Sequence, residues 1–244
     1  MGTSHRWLWA ALAIVVLTSP AVAQDLSITL SGQDSLTTRT LVLLAGITLL
    51  SLAPGLAIMV TCFPFVITVL AILRQALGLQ QSPPNMLLVS LALFLTYFVM
   101  DPVFQEAWQA GLRPVSEGTI PLDEGLSLAA DPFRRFMAAR VDAETVLRLA
   151  DLRQEAVDPA ALETTPLSLL VPSFMLSEIA RAFQIGFLIY LPFLVIDLVV
   201  AAVLMSMGMM MVPPVVVSLP FKLAFFVVAD GWTLLSEALL RSYL

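Results

Sequence analysis

The chain has 244 residues, of which 59% are hydrophobic and 12% charged, and its mean hydropathy is +0.93. Soluble domains run at about 45–50% apolar and about 25% charged, so an ordinary cytosolic enzyme and a disordered chain are both excluded and a polytopic or membrane-assembled protein remains. A net charge of −6 leaves no basic surface to neutralise phosphates, which excludes nucleic acid as a partner.

Residues 1–23 read as a secretory signal peptide. Arg6 supplies the positive start, Trp7 to Leu17 the apolar core, and Pro20 precedes Ala21-Val22-Ala23, with cleavage expected before Gln24. The apolar core is short for a span, which needs about 20 residues. Residues 24–40 form a polar leader. Residues 41–110 are expected to make a first hydrophobic helical hairpin, because Thr40 to Leu73 and Gln75 to Met100 carry no charge at all. Its turn holds Arg74, Gly78 and Ser82-Pro83-Pro84-Asn85; the glycine suits a helix end and Pro83 and Pro84 cannot continue one.

Residues 111–165 differ in kind, with six Arg, five Asp and five Glu. They read as a small helical insertion outside the cytoplasm. One helix is expected to start at Asp131-Pro132, with Phe133, Phe136, Met137 and Val141 on one face, and a second to start at Asp142. Residues 166–244 return to apolar composition and are expected to form a second hydrophobic hairpin. Glu178, Arg181 and Asp197 are the charges between Leu167 and Met207, and Lys222 and Asp230 lie in the last segment. The joint between its arms is Met205-Ser-Met-Gly-Met-Met-Met-Val-Pro213-Pro214. The fold class is therefore all-α: two kinked hydrophobic hairpins with a helical insertion, the leader and insertion outside, the 74–86 turn and the Met-rich joint facing the cytoplasm. Pro54, Pro64, Pro102, Pro172, Pro192 and Pro220 fall inside apolar stretches. Six expected helix breaks at membrane depth call for burial against other subunits.

Little in the chain can do covalent chemistry. The lone Cys62 allows no intrachain disulfide or cysteine cluster, and the lone His5 lies in the expected signal peptide, so the mature chain would have no imidazole for a triad or a zinc site. No phosphate-binding glycine loop occurs, and Asp101, Asp197 and Asp230 sit in no protease signature. No cofactor, metal or catalytic residue is expected.

Charges at membrane depth cost about 2.5–3.5 kcal/mol each, so Glu178, Arg181, Asp197, Lys222 and Asp230 must face a partner, a pore or an interface. Glu178 and Arg181, three apart, could pair locally. Alternatively Lys222 reaches Glu178 or Asp197 across a subunit boundary, or the carboxylates relay ions. The run containing Met209, Met210 and Met211 is flexible and polarizable. Repeated around a ring, it would make a deformable apolar gasket that parts for a polypeptide.

The stretches Leu73-Arg-Gln-Ala-Leu-Gly78, Ser82-Pro-Pro-Asn85, Met100-Asp-Pro-Val103, Ser177-Glu178, Ala182-Phe-Gln-Ile-Gly-Phe187, Pro192-Phe-Leu-Val-Ile-Asp197, Met207-Gly-Met-Met-Met-Val-Pro-Pro214, Leu219-Pro-Phe-Lys222 and Asp230-Gly-Trp232 resemble the FliP family of flagellar export-gate proteins, relatives of the injectisome core. The resemblance runs from about Ala53 to Leu240. It implies a non-enzymatic subunit of the type III export gate in the bacterial inner membrane, at the flagellar basal body. It further implies several copies, five by the family pattern, assembled with FliQ and FliR, fed by FlhA and FlhB, and passing unfolded flagellar proteins. Met209, Met210 and Met211 would be the inner seal. Two other readings stand beside it: an ion-coupled secondary transporter using Asp197 or Glu178, and a scaffold for another channel.

Overall fold

A computed structural model describes residues 36–79, 82–159 and 161–243. The expected signal peptide and most of the polar leader lie outside the described residues. The described part of the first unit, up to Ser51, belongs to helix α1, Leu36–Met59. The rest of the chain, from Leu52, forms a second compact unit.

The charge-free stretch from Thr40 to Leu73 is not one helix. It breaks at Val60–Cys62 and restarts as α2, Phe63–Ala76, with Pro64 in its first turn. There the missing N–H would have had no helical partner anyway. The Thr61 hydroxyl turns the corner, donating to the Ile58 carbonyl at 2.9 Å. Helix α2 ends where Gly78, at φ +78°, adopts the left-handed conformation that glycine takes without a Cβ penalty. Across the following turn Arg74 donates to the Asn85 side chain and to the Pro83 carbonyl. Pro84 then caps α3, Asn85–Ala107.

The next boundary is later than composition suggests. Helix α3 runs through a π-helical stretch, Trp108–Leu112, into α4, Arg113–Ser116, so the rod from Asn85 to Ser116 is 32 residues long. The insertion's first helix, α5, is Leu122–Arg140, and Pro132 lies inside it. The expected start at Asp131-Pro132 is thereby corrected: Pro121 opens the helix nearly three turns earlier, and Asp131 instead approaches Arg134 within the helix at 3.9 Å. Asp142 does cap α6, Ala143–Arg153, its carboxylate accepting from the Thr145 N–H at 2.9 Å.

Helix α7, Leu167–Ser206, has 40 residues and is about 60 Å long, twice the roughly 30 Å of a hydrocarbon core. Its first turns are spoken for by the insertion, because Leu169, Leu170 and Phe174 form one cluster with Met137, Val141, Val146 and Ala150. The Met-rich joint follows, then α8, Pro214–Val228, and α9, Gly231–Arg241, bent 63° apart at Asp230, whose φ is +48°. Of the six prolines expected to break helices, Pro64 marks a break, whereas Pro54, Pro102, Pro172, Pro192 and Pro220 lie within continuous helices. The predicted fragmentation is corrected accordingly.

Within this unit α2 is the centre. It packs against α3 on one side and α7 on another, and α5 of the insertion bridges α3 and α7. Phe65, Val66, Val69, Leu70 and Leu73 of α2 are all buried. Gly186 lets α7 close in, since a Cβ there would stand 2.4 Å from Ile72. The outer faces are the reverse of a soluble protein: Phe94, Tyr97, Phe98, Phe187, Leu188, Leu198, Val227 and Val228 are all exposed. Among the described residues the Asn85–Ser116 and Leu167–Ser206 helices are long and apolar enough to cross a membrane, and the bent α8–α9 pair counts as a third if taken as one span.

Candidate functional site: two buried charge nodes and a methionine loop

Lipid and packed side chains both punish an unpaired charge, so each ionic side chain inside this unit must be accounted for. They fall into two nodes. The first is built on Glu178, which is fully buried in α7. Its Oε1 accepts from Arg140 Nε at 3.1 Å, and its Oε2 accepts from the Tyr243 hydroxyl. Arg140 is the last residue of α5. It also donates to the Ser242 carbonyl at 2.7 Å and lies over the Tyr243 ring, 3.7 Å from its centroid. That ring is in turn flanked by Phe65 and Phe136. Ser177, one residue before, accepts from the Asp142 backbone N–H at 3.0 Å. One carboxylate thus ties the long helix, the insertion and the chain's C-terminal end together. The local pair with Arg181 exists but is secondary: Arg181 Nη1 stands 3.8 Å from the oxygen Arg140 already holds.

The second node is built on Lys222 of α8, which is 3% exposed. Its ammonium donates to Asp197 Oδ2 at 2.6 Å and to the Ala76 carbonyl at 2.9 Å. Ala76 is the last residue of α2, where the unpaired carbonyls and the helix dipole favour a cation. Ser218 donates to the other aspartate oxygen at 2.5 Å. The pairing of Lys222 with Asp197 is therefore within one chain, not across a subunit boundary, and Lys222 does not reach Glu178. Asp230 joins neither node. It is the residue before α9, and its carboxylate accepts from the Thr233 hydroxyl at 3.1 Å.

The loop between α7 and α8 is the third feature. Gly208, at φ +73°, ends α7, with the Met209 N–H returning to the Leu204 carbonyl at 3.0 Å. Pro213 and Pro214 then start α8. Between them Met210 is 83% exposed and Met211 97%, while Met209 turns back over an apolar cavity of about 670 Å³ lined by Val199, Val203, Val217 and Phe221.

Sequence reasoning named Glu178, Arg181, Asp197 and Lys222 but missed Arg140, Tyr243 and Ser218, which complete the nodes. Arg140 could have been found: it lies two residues before the Asp142 cap and is the last charge before the insertion's two helices part. Tyr243 carries no such signal.

An all-helical chain with apolar rods of membrane-spanning length, buried ion pairs between them and an uncovered apolar exterior is a membrane protein. A search against protein families places residues 46–239 in the FliP family. The chain is 47% identical over 238 residues to the flagellar biosynthetic protein FliP of Caulobacter vibrioides, covering 96% of this chain and 88% of that one. It is 45% identical over 207 residues to the protein of that name from Bacillus subtilis, covering 84% and 92%, and 48% over 199 residues to that of Rhizobium meliloti, covering 81% of each. The chain belongs to the FliP family, and it is a component of the flagellar protein export apparatus.

Proposed function

We propose that the chain is a core subunit of the flagellar export gate, assembled in several copies, five by the family pattern, with FliQ and FliR around a conduit for unfolded flagellar proteins. FlhA and FlhB deliver the cargo. The complex sits in the inner membrane at the basal body, this subunit is multi-pass, and it performs no catalysis. The observation that carries this reading is the methionine loop. Met209, Met210 and Met211 occupy a tip between two helices, where an isolated fold has no use for side chains as nearly naked as those of Met210 and Met211. Methionine re-packs around irregular shapes, which suits a seal that must close on itself and part for a polypeptide. Asp197 argues against the transporter reading, since its charge is already neutralised by Lys222 and its second oxygen is held by Ser218.

Replacing Met209, Met210 and Met211 together with Gly tests the seal. Complex assembly should survive, while cells expressing the complex become leaky to small solutes. A membrane that stays tight refutes the gasket.

A further inference from the structure

Among the described residues, two charges on the outer faces of the second unit lack a full counter-charge. Around Glu178 two guanidiniums share one carboxylate: Arg140 at 3.1 Å and Arg181 at 3.8 Å from the same oxygen. Tyr243 takes the other oxygen as a neutral donor. Counted over the described residues, the cluster carries one positive charge in excess, and Arg181, 40% exposed, is the member that looks outward. It borders the exposed face of α7 that continues through Gln184 and Leu188.

The opposite case lies on α3. Asp101 accepts from the Gln105 side chain at 2.7 Å, and among the described residues no Lys or Arg stands within ion-pair distance of it. Helical spacing sets it in line with exposed Phe94, Tyr97, Phe98, Phe104 and Trp108, in the middle of an aromatic stripe. Aromatic faces of this kind are where a guanidinium is best received. Both residues also sit about one turn to the membrane side of a link to the insertion. Asp101 lies five residues before Glu106, which pairs with Arg135 of α5; Arg181 lies three after Glu178, which pairs with Arg140 of α5.

Helix α2 packs between α3 and α7, so the aromatic stripe and the Arg181 face are different surfaces of the subunit. Two different, complementary surfaces make a head-to-tail contact, which repeats to form a ring. We propose that Arg181 of one copy pairs with Asp101 of the next, seated in that copy's aromatic stripe. This rests on the reading of the chain as a homo-oligomer and supplies the contact that sets its register.

The test uses the full chain, co-expressed with the other gate subunits and measured by native mass in detergent. Arg181→Asp and Asp101→Arg should each lower the assembled fraction about thirtyfold at equal dilution, as expected for breaking a desolvated interfacial charge pair. The double variant, Arg181→Asp with Asp101→Arg, should restore it. In addition, the pair Arg181→Cys and Asp101→Cys, treated with a short bismaleimide, should yield a covalent ladder of copies that neither single variant yields. Single variants that assemble like the unaltered chain, or a double variant no better than the singles, overturn the pairing while leaving the oligomer intact. Loss with Arg181→Asp but none with Asp101→Arg, together with assembly of the unaltered chain that rises on adding anionic phospholipid, makes a lipid phosphate the partner and also overturns it. An unaltered chain that runs as a monomer overturns the pairing together with the oligomeric reading beneath it.

Discussion

Replacing Arg140 by Ala should do more damage than any other single change of a charged residue in the insertion. The guanidinium is 13% exposed and its carboxylate partner is fully buried, so solvent screening gives little relief. Removing it strands Glu178 with a phenol and a guanidinium at 3.8 Å, releases the Ser242 carbonyl and uncovers the Tyr243 ring. Removing one partner of a buried pair costs about 3–5 kcal/mol, which for a chain of this size corresponds to a drop of about 6–20 °C in Tm. The companion Arg181→Ala, at a longer and half-exposed contact, should cost less than about 1 kcal/mol in the isolated chain. The double variant Arg140→Met with Glu178→Met should recover most of the loss, because it leaves no orphaned charge. Thermal unfolding of the detergent-solubilised chain, followed by far-ultraviolet circular dichroism, reads all three. An Arg140→Ala melting point within about 2 °C of the unaltered chain would refute the reasoning.

Two further outcomes follow from the helix contacts. Gly111→Ala should be poorly tolerated, since its Cβ would lie 2.2 Å from the Gly125 carbonyl oxygen and 2.6 Å from the Ala129 nitrogen; backbone cannot swing aside, and accelerated hydrogen exchange in α5 at roughly 1–3 kcal/mol lower protection checks it. The Thr145 hydroxyl and N–H hold the Asp142 carboxylate below the usual value of 3.8. A lowered folded-state pKa means the cap's contribution is complete well above the ordinary value of 3.8 and is lost as pH falls through the depressed one; protection of the first-turn amides of α6, taken relative to their intrinsic exchange rate at each pH, should therefore fall with acidification in the unaltered chain and show no such step in Asp142→Ala.

The class of fold was legible because apolar runs of more than 20 residues and a charge-dense block between them are one-dimensional signals. The Asp142 cap was legible too, being settled within three residues. What sequence misread was proline. Pro102, Pro172, Pro192 and Pro220 each forfeit one hydrogen bond, yet they lie in rods whose remaining bonds and neighbours hold the helix on course. Pro64 differs in standing in the first turn of its helix, with the Thr61 hydroxyl turning the chain just ahead of it. The charge nodes were half visible. A lone Lys in an apolar helix announces a partner, but the choice of Asp197 over Glu178 depends on where α8 lies against α7, and that is set by packing far from either residue. Tyr243 reaches Glu178 from 65 positions away, a contact that no local pattern encodes.

The two nodes and the loop also divide the labour of stiffness. Lys222 fastens α8 to the last residue of α2 and to Asp197 inside α7 by two hydrogen bonds from a buried ammonium, so relative sliding of these helices strands a buried charge and is costly. Beyond Asp197, α7 continues for about 14 Å to Ser206 with no ion pair, and the loop after it makes only its own turn hydrogen bonds. Movement should therefore be confined to the tip. A proposed gasket needs that arrangement: if the helices themselves had to part for each polypeptide, every passage would break the Lys222 node, whereas a methionine loop hung from a pinned pair can yield by side-chain rotation alone, at the small cost of rearranging unbranched apolar chains.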